Sequence, residues 1–313
     1  MLERVLVPLD GSALAESILP AFYPILRCAR SEVLLVHASP EAGEKTKEGS
    51  PEIQKANDYL QTVVTKLSAL HIDAHPFIRQ GPAVRAILNV ATEEEASLIA
   101  LAGHGEASPD ELTLGPVTQR LFLESSQPVV AMHPIVSPPG EAPTTISYLS
   151  YDSILVPLDG TPASKAALPL AWEIAHLMGS RLELLRVVER VGEAERHIPP
   201  EDMPAEGPAF EPVSLDERQA QRELEDLALR TSRSGVPSIA IIEKGQPAEA
   251  ILSVARAHGT GLIVMATRAR PEISRYLLGS VAPRIMREAK IPVLAIGSRE
   301  AAGPAQIQKA AGA

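Results

Sequence analysis

The stretch ATRARPEISRYLLGSVAPRIM (266–286) gathers arginines ahead of a Gly-Ser pair that opens a helical pattern, GSVAPRIMREA. Backbone N–H groups at a helix start, reinforced by the helix dipole and a hydroxyl, form a seat for a phosphate. Gly279, Ser280 and Val281 are therefore the candidate phosphate seat, with Arg268 or Arg270 beside a polyphosphate. Residues 268–278 hold Arg268, Arg270 and Arg275 against Glu272, a formal +2. A related stretch, 104–114, holds Glu106, Asp110 and Glu111 with no Lys or Arg, a formal −3, and leads into Gly115-Pro116. Proline is comfortable at a first helical position but lacks the N–H and the hydroxyl that a phosphate would use. A polyphosphate is attracted to one stretch and repelled by the other.

A second candidate is a carboxylate at a turn. VLVPLDGS (5–12) returns as ILVPLDGT (154–161), so Asp10-Gly11 and Asp159-Gly160 each follow an apolar run. Such an Asp can accept backbone N–H bonds, the structural role, or touch a ligand, and the glycine permits the bend. Other residues carry less. His71 and His75 have the spacing of helical metal ligands, but Pro76 and the apolar run after it put them in a turn and a strand, which argues against zinc. His104 could carry a proton, yet no nucleophile or ordered carboxylate accompanies it. There is no G-x-S-x-G, no P-loop and no G-x-G-x-x-G after a strand. Catalysis beyond slow nucleotide hydrolysis is not expected.

The elements that would position these residues come in two sets. The opening strands are 149 residues apart, whereas GPAVRAIL (81–88) and GQPAEAIL (245–252) are 164 apart, as are ASLIALAG and TGLIVMAT, and QPVVAMH and IPVLAIG. The 15 extra residues enter within 190–214, rich in Pro and acid, which reads as an exposed loop. Each copy reads βαβαβαβαβ: strands over 4–9, 32–37, 74–79, 97–102 and 128–132, with helices over 12–30, 52–70, 82–95 and 115–124. Continuous apolar runs such as LIAL and LIVM fit parallel strands covered on both faces. Ser50 before Pro51, and Ser214 with Glu217 as a capping box, mark helix starts. Pro20 and Pro169 correspond inside the first helix of each copy and should kink it or shift its start. The fold class is α/β: two tandem, doubly wound, Rossmann-like parallel-sheet domains at 1–136 and 151–298, a linker at 137–150 and a tail at 299–313. In such sheets ligands bind beyond the carboxyl ends of the strands, where strand order reverses, and the Asp-Gly turns land there.

Composition narrows the classes. Hydrophobic residues make up 45% of 313 but aromatics only 3%, so two cores can form and both must be aliphatic. A net charge of −10 and a pI near 5.4 argue against nucleic acid. No apolar run reaches the ~18 residues of a membrane helix, and the first strand begins without a charged-then-apolar leader. A lone cysteine, Cys28, reads as a small buried hydrophobe in a reducing compartment, so the expected location is the cytoplasm.

Together these motifs resemble the universal stress protein family, over nearly the whole chain and in two copies. The ATP-binding branch of that family carries Gly, two residues, Gly, nine residues, then Gly-Ser or Gly-Thr after the fourth strand. The second copy has Ala266, Ala269, nine residues and Gly279-Ser280: the spacing is kept, but alanine replaces both leading glycines. The resemblance implies ATP or ADP, with a divalent cation, in the C-terminal domain, its adenine end touching Pro157, Asp159 and Val187, which match Pro8, Asp10 and Ala38. It also implies pairing through the fifth strands, here within the chain, and a homodimer as a further expectation. Two readings stand: a nucleotide-binding stress protein, and a nucleotide-free dimerising or interaction module of the same fold.

Overall fold

The computed structural model of the chain describes residues 2–39, 51–102, 115–132, 151–188, 215–267, 281–289 and 291–297. The N-terminal half runs β1 (Arg4–Pro8), α1 (Ala13–Glu16), α2 (Ile18–Ala29), β2 (Glu32–Ser39), α3 (Pro51–Ser68), β3 (Asp73–Gln80), α4 (Ala83–Glu93), β4 (Leu98–Ala102), α5 (Pro116–Glu124) and β5 (Val129–Met132). The C-terminal half repeats it: β6 (Ser153–Pro157), a 3-10 turn at Ser164–Ala167, α6 (Leu168–Met178), β7 (Arg181–Val188), α7 (Leu215–Arg233), β8 (Ser238–Lys244), α8 (Pro247–Ala257), β9 (Leu262–Thr267), α9 (Val281–Glu288) and β10 (Val293–Gly297). Ser50, Ser214, the 190–214 stretch, the linker and the tail lie outside the described residues.

Ten strands form one sheet in the order β3-β2-β1-β4-β5-β10-β9-β6-β7-β8. Every pairing is parallel except the central one, where Val129–Met132 of β5 runs antiparallel to Leu294–Gly297 of β10. The apolar runs explain the parallel arrangement. Val33, Leu34 and Leu35 have no exposed area, nor have Leu262, Ile263 and Val264, because helices cover both faces. One face carries α2, α3, α6 and α7, and the other carries α4, α5, α8 and α9, so each aliphatic core contains residues from both halves. Strand order reverses between β1 and β4 and again between β6 and β9.

Both matched prolines move a helix start. The first helix breaks at Ser17, and Pro20 then sits in the first turn of α2, where its missing N–H has no intrahelical acceptor to lose. In the second copy the 3-10 turn precedes α6, with Pro169 in that helix's first turn. Cys28 corrects the sequence reading, for it is exposed. The buried positions of α2 are Ile18, Leu19, Ala21, Phe22, Ile25 and Leu26, and Cys28 lies two residues, some 200°, beyond Leu26.

The halves are tied by more than the central ladder. Tyr151 is 4% exposed and its hydroxyl donates to the Ala21 carbonyl at 2.5 Å, while Leu2 N–H donates to Glu173 Oε1 at 3.1 Å. Burial holds the Tyr151 phenol well above its ordinary range, so it remains a donor. Tyr151→Phe should cost about 1 kcal/mol, the net value of a buried hydrogen bond, and Tyr151→Ala about 3–5 kcal/mol through the added cavity. Both are read as midpoint shifts in chemical denaturation. A Tyr151→Phe protein as stable as the parent would remove the hydroxyl from this interface.

Candidate functional site

The Asp-Gly turns lie at the carboxyl ends of β1 and β6, beside the two points of strand-order reversal. Their local geometry is nearly the same. Asp10 Oδ1 accepts from Ser12 N–H at 3.0 Å and from its hydroxyl at 2.6 Å, and Ser12 caps α1 by accepting from Ala15 N–H at 3.0 Å. Asp159 Oδ1 accepts from Thr161 N–H at 2.9 Å and from its hydroxyl at 2.5 Å. Gly11 and Gly160 have φ of 89° and 84°, a region closed to most side chains. In both turns the carboxylate has its structural role, with Oδ1 spent on the turn.

What surrounds the turns differs between the copies. Arg186, the sixth residue of β7, lays its guanidinium against Gly160: a methyl there would come within 2.7 Å of both Cζ and Nη2. Among the described residues this guanidinium has no hydrogen bond or ion pair. At the matching position of the first copy stands His37, whose Nδ1–H donates to the Leu9 carbonyl at 2.9 Å, and a methyl at Gly11 would meet nothing within 4 Å. The first turn is instead flanked by Tyr59, whose phenol is pushed far up by burial first and then by the Glu16 and Asp10 carboxylates. One turn has a guanidinium laid against it, and the other has a phenol and a carboxylate, Glu16, that is paired with Lys66 at 3.4 Å. Sequence reasoning missed Arg186, although the 149-residue offset that matches Val187 with Ala38 also matches Arg186 with His37.

Of the other expected residues, Pro157 ends β6 and is half-buried, as is Val187 near the end of β7. Ala266 and buried Thr267 end β9, where the Thr267 hydroxyl donates to the Ile296 carbonyl at 3.2 Å. Val281 opens α9 and packs against the core shared with α8. Arg268, Ala269, Gly279 and Ser280 lie outside the described residues, as does His104. In the first copy, Gly115 caps α5 with Pro116 at its first position, and Pro116 lines a pocket of about 160 Å³ with Pro82, Ala83, Val84, Val117 and Arg120, whose guanidinium is paired with Glu124 at 2.8 Å. Apart from that paired arginine, the helix start is apolar. His71 lies in a turn with φ 59° and His75 in β3, and no cluster able to hold a metal ion occurs among the described residues. No helix among them is long and apolar enough to cross a membrane.

Two doubly wound α/β halves, each with an Asp-Gly turn at its switch point and joined edge to edge by their last strands, define a tandem α/β protein with two Rossmann-like halves. The profile of the universal stress protein family matches residues 1–133 and again 150–297, and the chain belongs to that stress-response family. A universal stress protein of Mycolicibacterium smegmatis is 26% identical over 228 residues, 71% of this chain and 68% of the relative. One from Thermus aquaticus is 32% identical over 147 residues, 47% of this chain and 98% of the relative. The crystal structure of a universal stress protein from Archaeoglobus fulgidus superposes with a TM-score of 0.69 at 20% identity, covering 96% of this chain and 100% of the other, which fixes the fold.

Proposed function

We propose that the chain is a tandem universal stress protein whose C-terminal half binds ATP or ADP, with a divalent cation, while its N-terminal half is structural. The adenine end lies at Pro157, Asp159 and Val187, and the phosphates meet Gly279, Ser280 and Val281 with Arg268 or Arg270 beside them. The observation that carries the reading is the difference between the two turns: the Arg186 guanidinium lies against Gly160, whereas the first turn has Tyr59 beside it and its neighbouring carboxylate Glu16 is already paired with Lys66 at 3.4 Å. The sequence adds the +2 stretch at 268–278 against the −3 stretch at 104–114. Ala266 and Ala269 favour the second reading, a nucleotide-free dimerising or interaction module of the same fold, because each adds a methyl where the ATP-binding branch keeps glycine.

One experiment separates them. The chain is purified without added ligand, the denatured supernatant is assayed for nucleotide, and the protein is titrated calorimetrically with ATP and Mg²⁺. A single nucleotide per chain supports the first reading. No nucleotide in the supernatant and no heat at millimolar ATP transfers the function to the second.

A further inference from the structure

The ten-stranded sheet ends in two edges of opposite character. At one end β3 is blunted. Pro76 lies in its middle and offers no N–H, His75 sits 3.5 Å from both Glu32 and Asp73, and Arg79 pairs with Glu93 at 2.9 Å. At the other end β8 reads Ser-Ile-Ala-Ile-Ile-Glu-Lys, with no proline and no charge before its sixth residue. Ile239 is 44% exposed, and Ala240, Ile241 and Ile242 are half-exposed. The second large exposed hydrophobic among the described residues, Leu229 at 50%, belongs to α7, the helix packed on this strand.

The ladder's phase shows which groups face outward. Leu182 N–H donates to the Pro237 carbonyl at 2.8 Å and Gly245 N–H to the Val188 carbonyl at 3.1 Å, so odd-numbered residues of β8 bond to β7. Even-numbered residues point away. Ser238, the first of them, has its N–H bonded to the Ser232 hydroxyl at 3.0 Å. The N–H and C=O of Ala240 and Ile242 face the free edge.

We infer that β8 is an interface for a second copy of this chain, pairing antiparallel across a two-fold axis at Ile241. That register lets Ala240 of one copy exchange both backbone bonds with Ile242 of the other. It also puts Ile241 opposite itself at a close, non-hydrogen-bonded position, where apolar side chains meet best. Charge favours the same arrangement. Within α7, residues 217–226 hold Glu217, Glu223, Glu225 and Asp226 against Arg218 and Arg222, a formal −2, while 227–233 hold Arg230 and Arg233, a formal +2. A two-fold axis lays the two α7 helices side by side and antiparallel, with the acidic half of each beside the basic end of the other. Because β3 is blunted, the described residues leave one open edge per chain, and the association closes at two copies instead of growing into a fibre.

The test is the mass of the full chain in solution, followed by light scattering from micromolar to hundreds of micromolar. The parent should reach twice its 33.4 kDa. Ala240→Pro removes one outward N–H and spares the bonds to β7, and Ile239→Lys puts a charge on the edge. Each should weaken dimerisation at least about tenfold while the melting temperature of the diluted protein stays within a few degrees of the parent's. A parent that stays at single-chain mass, or a dimer that survives both substitutions, overturns the inference. So does a single-chain mass with Ala240 and Ile242 amides protected from hydrogen exchange, which would assign the edge to another segment of the same chain.

Discussion

Arg181→Ala should destabilise the chain by about 2–3 kcal/mol, the cost of taking a charge-assisted partner from a buried carboxylate, reduced because the arginine itself is half-exposed. Glu183, in the middle of β7, has no exposed area. Its Oε1 accepts from Arg181 Nε at 3.0 Å and Nη2 at 2.9 Å, and its Oε2 has only longer contacts, at 3.4 Å to the Thr260 hydroxyl and 3.4 Å to His258 Nδ1. Remove the guanidinium and the carboxylate keeps only the weaker pair. The first copy supplies the control. By the 149-residue offset Glu183 matches Leu34, fully buried, and Arg181 matches Glu32, which pairs with Arg4 at 2.7 Å. Glu183→Leu should therefore cost little or even stabilise, since an apolar residue of similar size already fits this strand position in a sheet of the same fold. Urea denaturation of both variants decides the matter. Arg181→Ala within about 1 kcal/mol of the parent would show that Glu183 is held without its arginine.

This carboxylate also marks where sequence reading ended. The apolar runs at 33–36, 98–102 and 262–265 announced parallel strands buried on both faces, and the repeated VLVPLDGS and ILVPLDGT announced two copies, because burial on both faces leaves no polar alternation to obscure the signal. A Glu within RLELLRVV reads equally well as the outward residue of a half-exposed strand. Its burial follows from α8 and the residues after it closing over that face, a long-range fact absent from the local pattern. Arg186 is similar. Only the superposed turns show that its side chain crosses to Gly160 while His37 turns back to the Leu9 carbonyl. Cys28 failed for a simpler reason: helical periodicity fixes a buried face only once its phase is known, and the break at Ser17 reset the phase of α2. The Asp-Gly turns were legible because φ near 85° at a residue after a strand demands glycine whatever the surroundings.

The copies should differ most sharply in their response to exchanging one residue, Ser280→Pro against Pro116→Ser. Ser280 directly precedes α9, and Pro116 occupies the matching place at the start of α5. Proline at a helix start is well tolerated, so Ser280→Pro should leave the melting temperature of the unliganded chain nearly unchanged. It nevertheless removes one N–H and one hydroxyl at the proposed phosphate seat. Each charge-assisted contact is worth about 1.5–3 kcal/mol, so losing both should weaken ATP by roughly a hundredfold to ten-thousandfold and take it below calorimetric detection. Pro116→Ser restores the same two donors in the first copy and should still create no site. Glu106, Asp110 and Glu111 remain in the preceding stretch, Glu16 and Asp10 remain beside Tyr59, and no Arg stands where Arg186 does. In the full chain the expected stoichiometry is one ATP for the parent and for Pro116→Ser, and none for Ser280→Pro. Two equal sites in the parent, or unchanged affinity in Ser280→Pro, would refute the asymmetry, because the donors and the charge that separate the halves would then have no bearing on where the nucleotide binds.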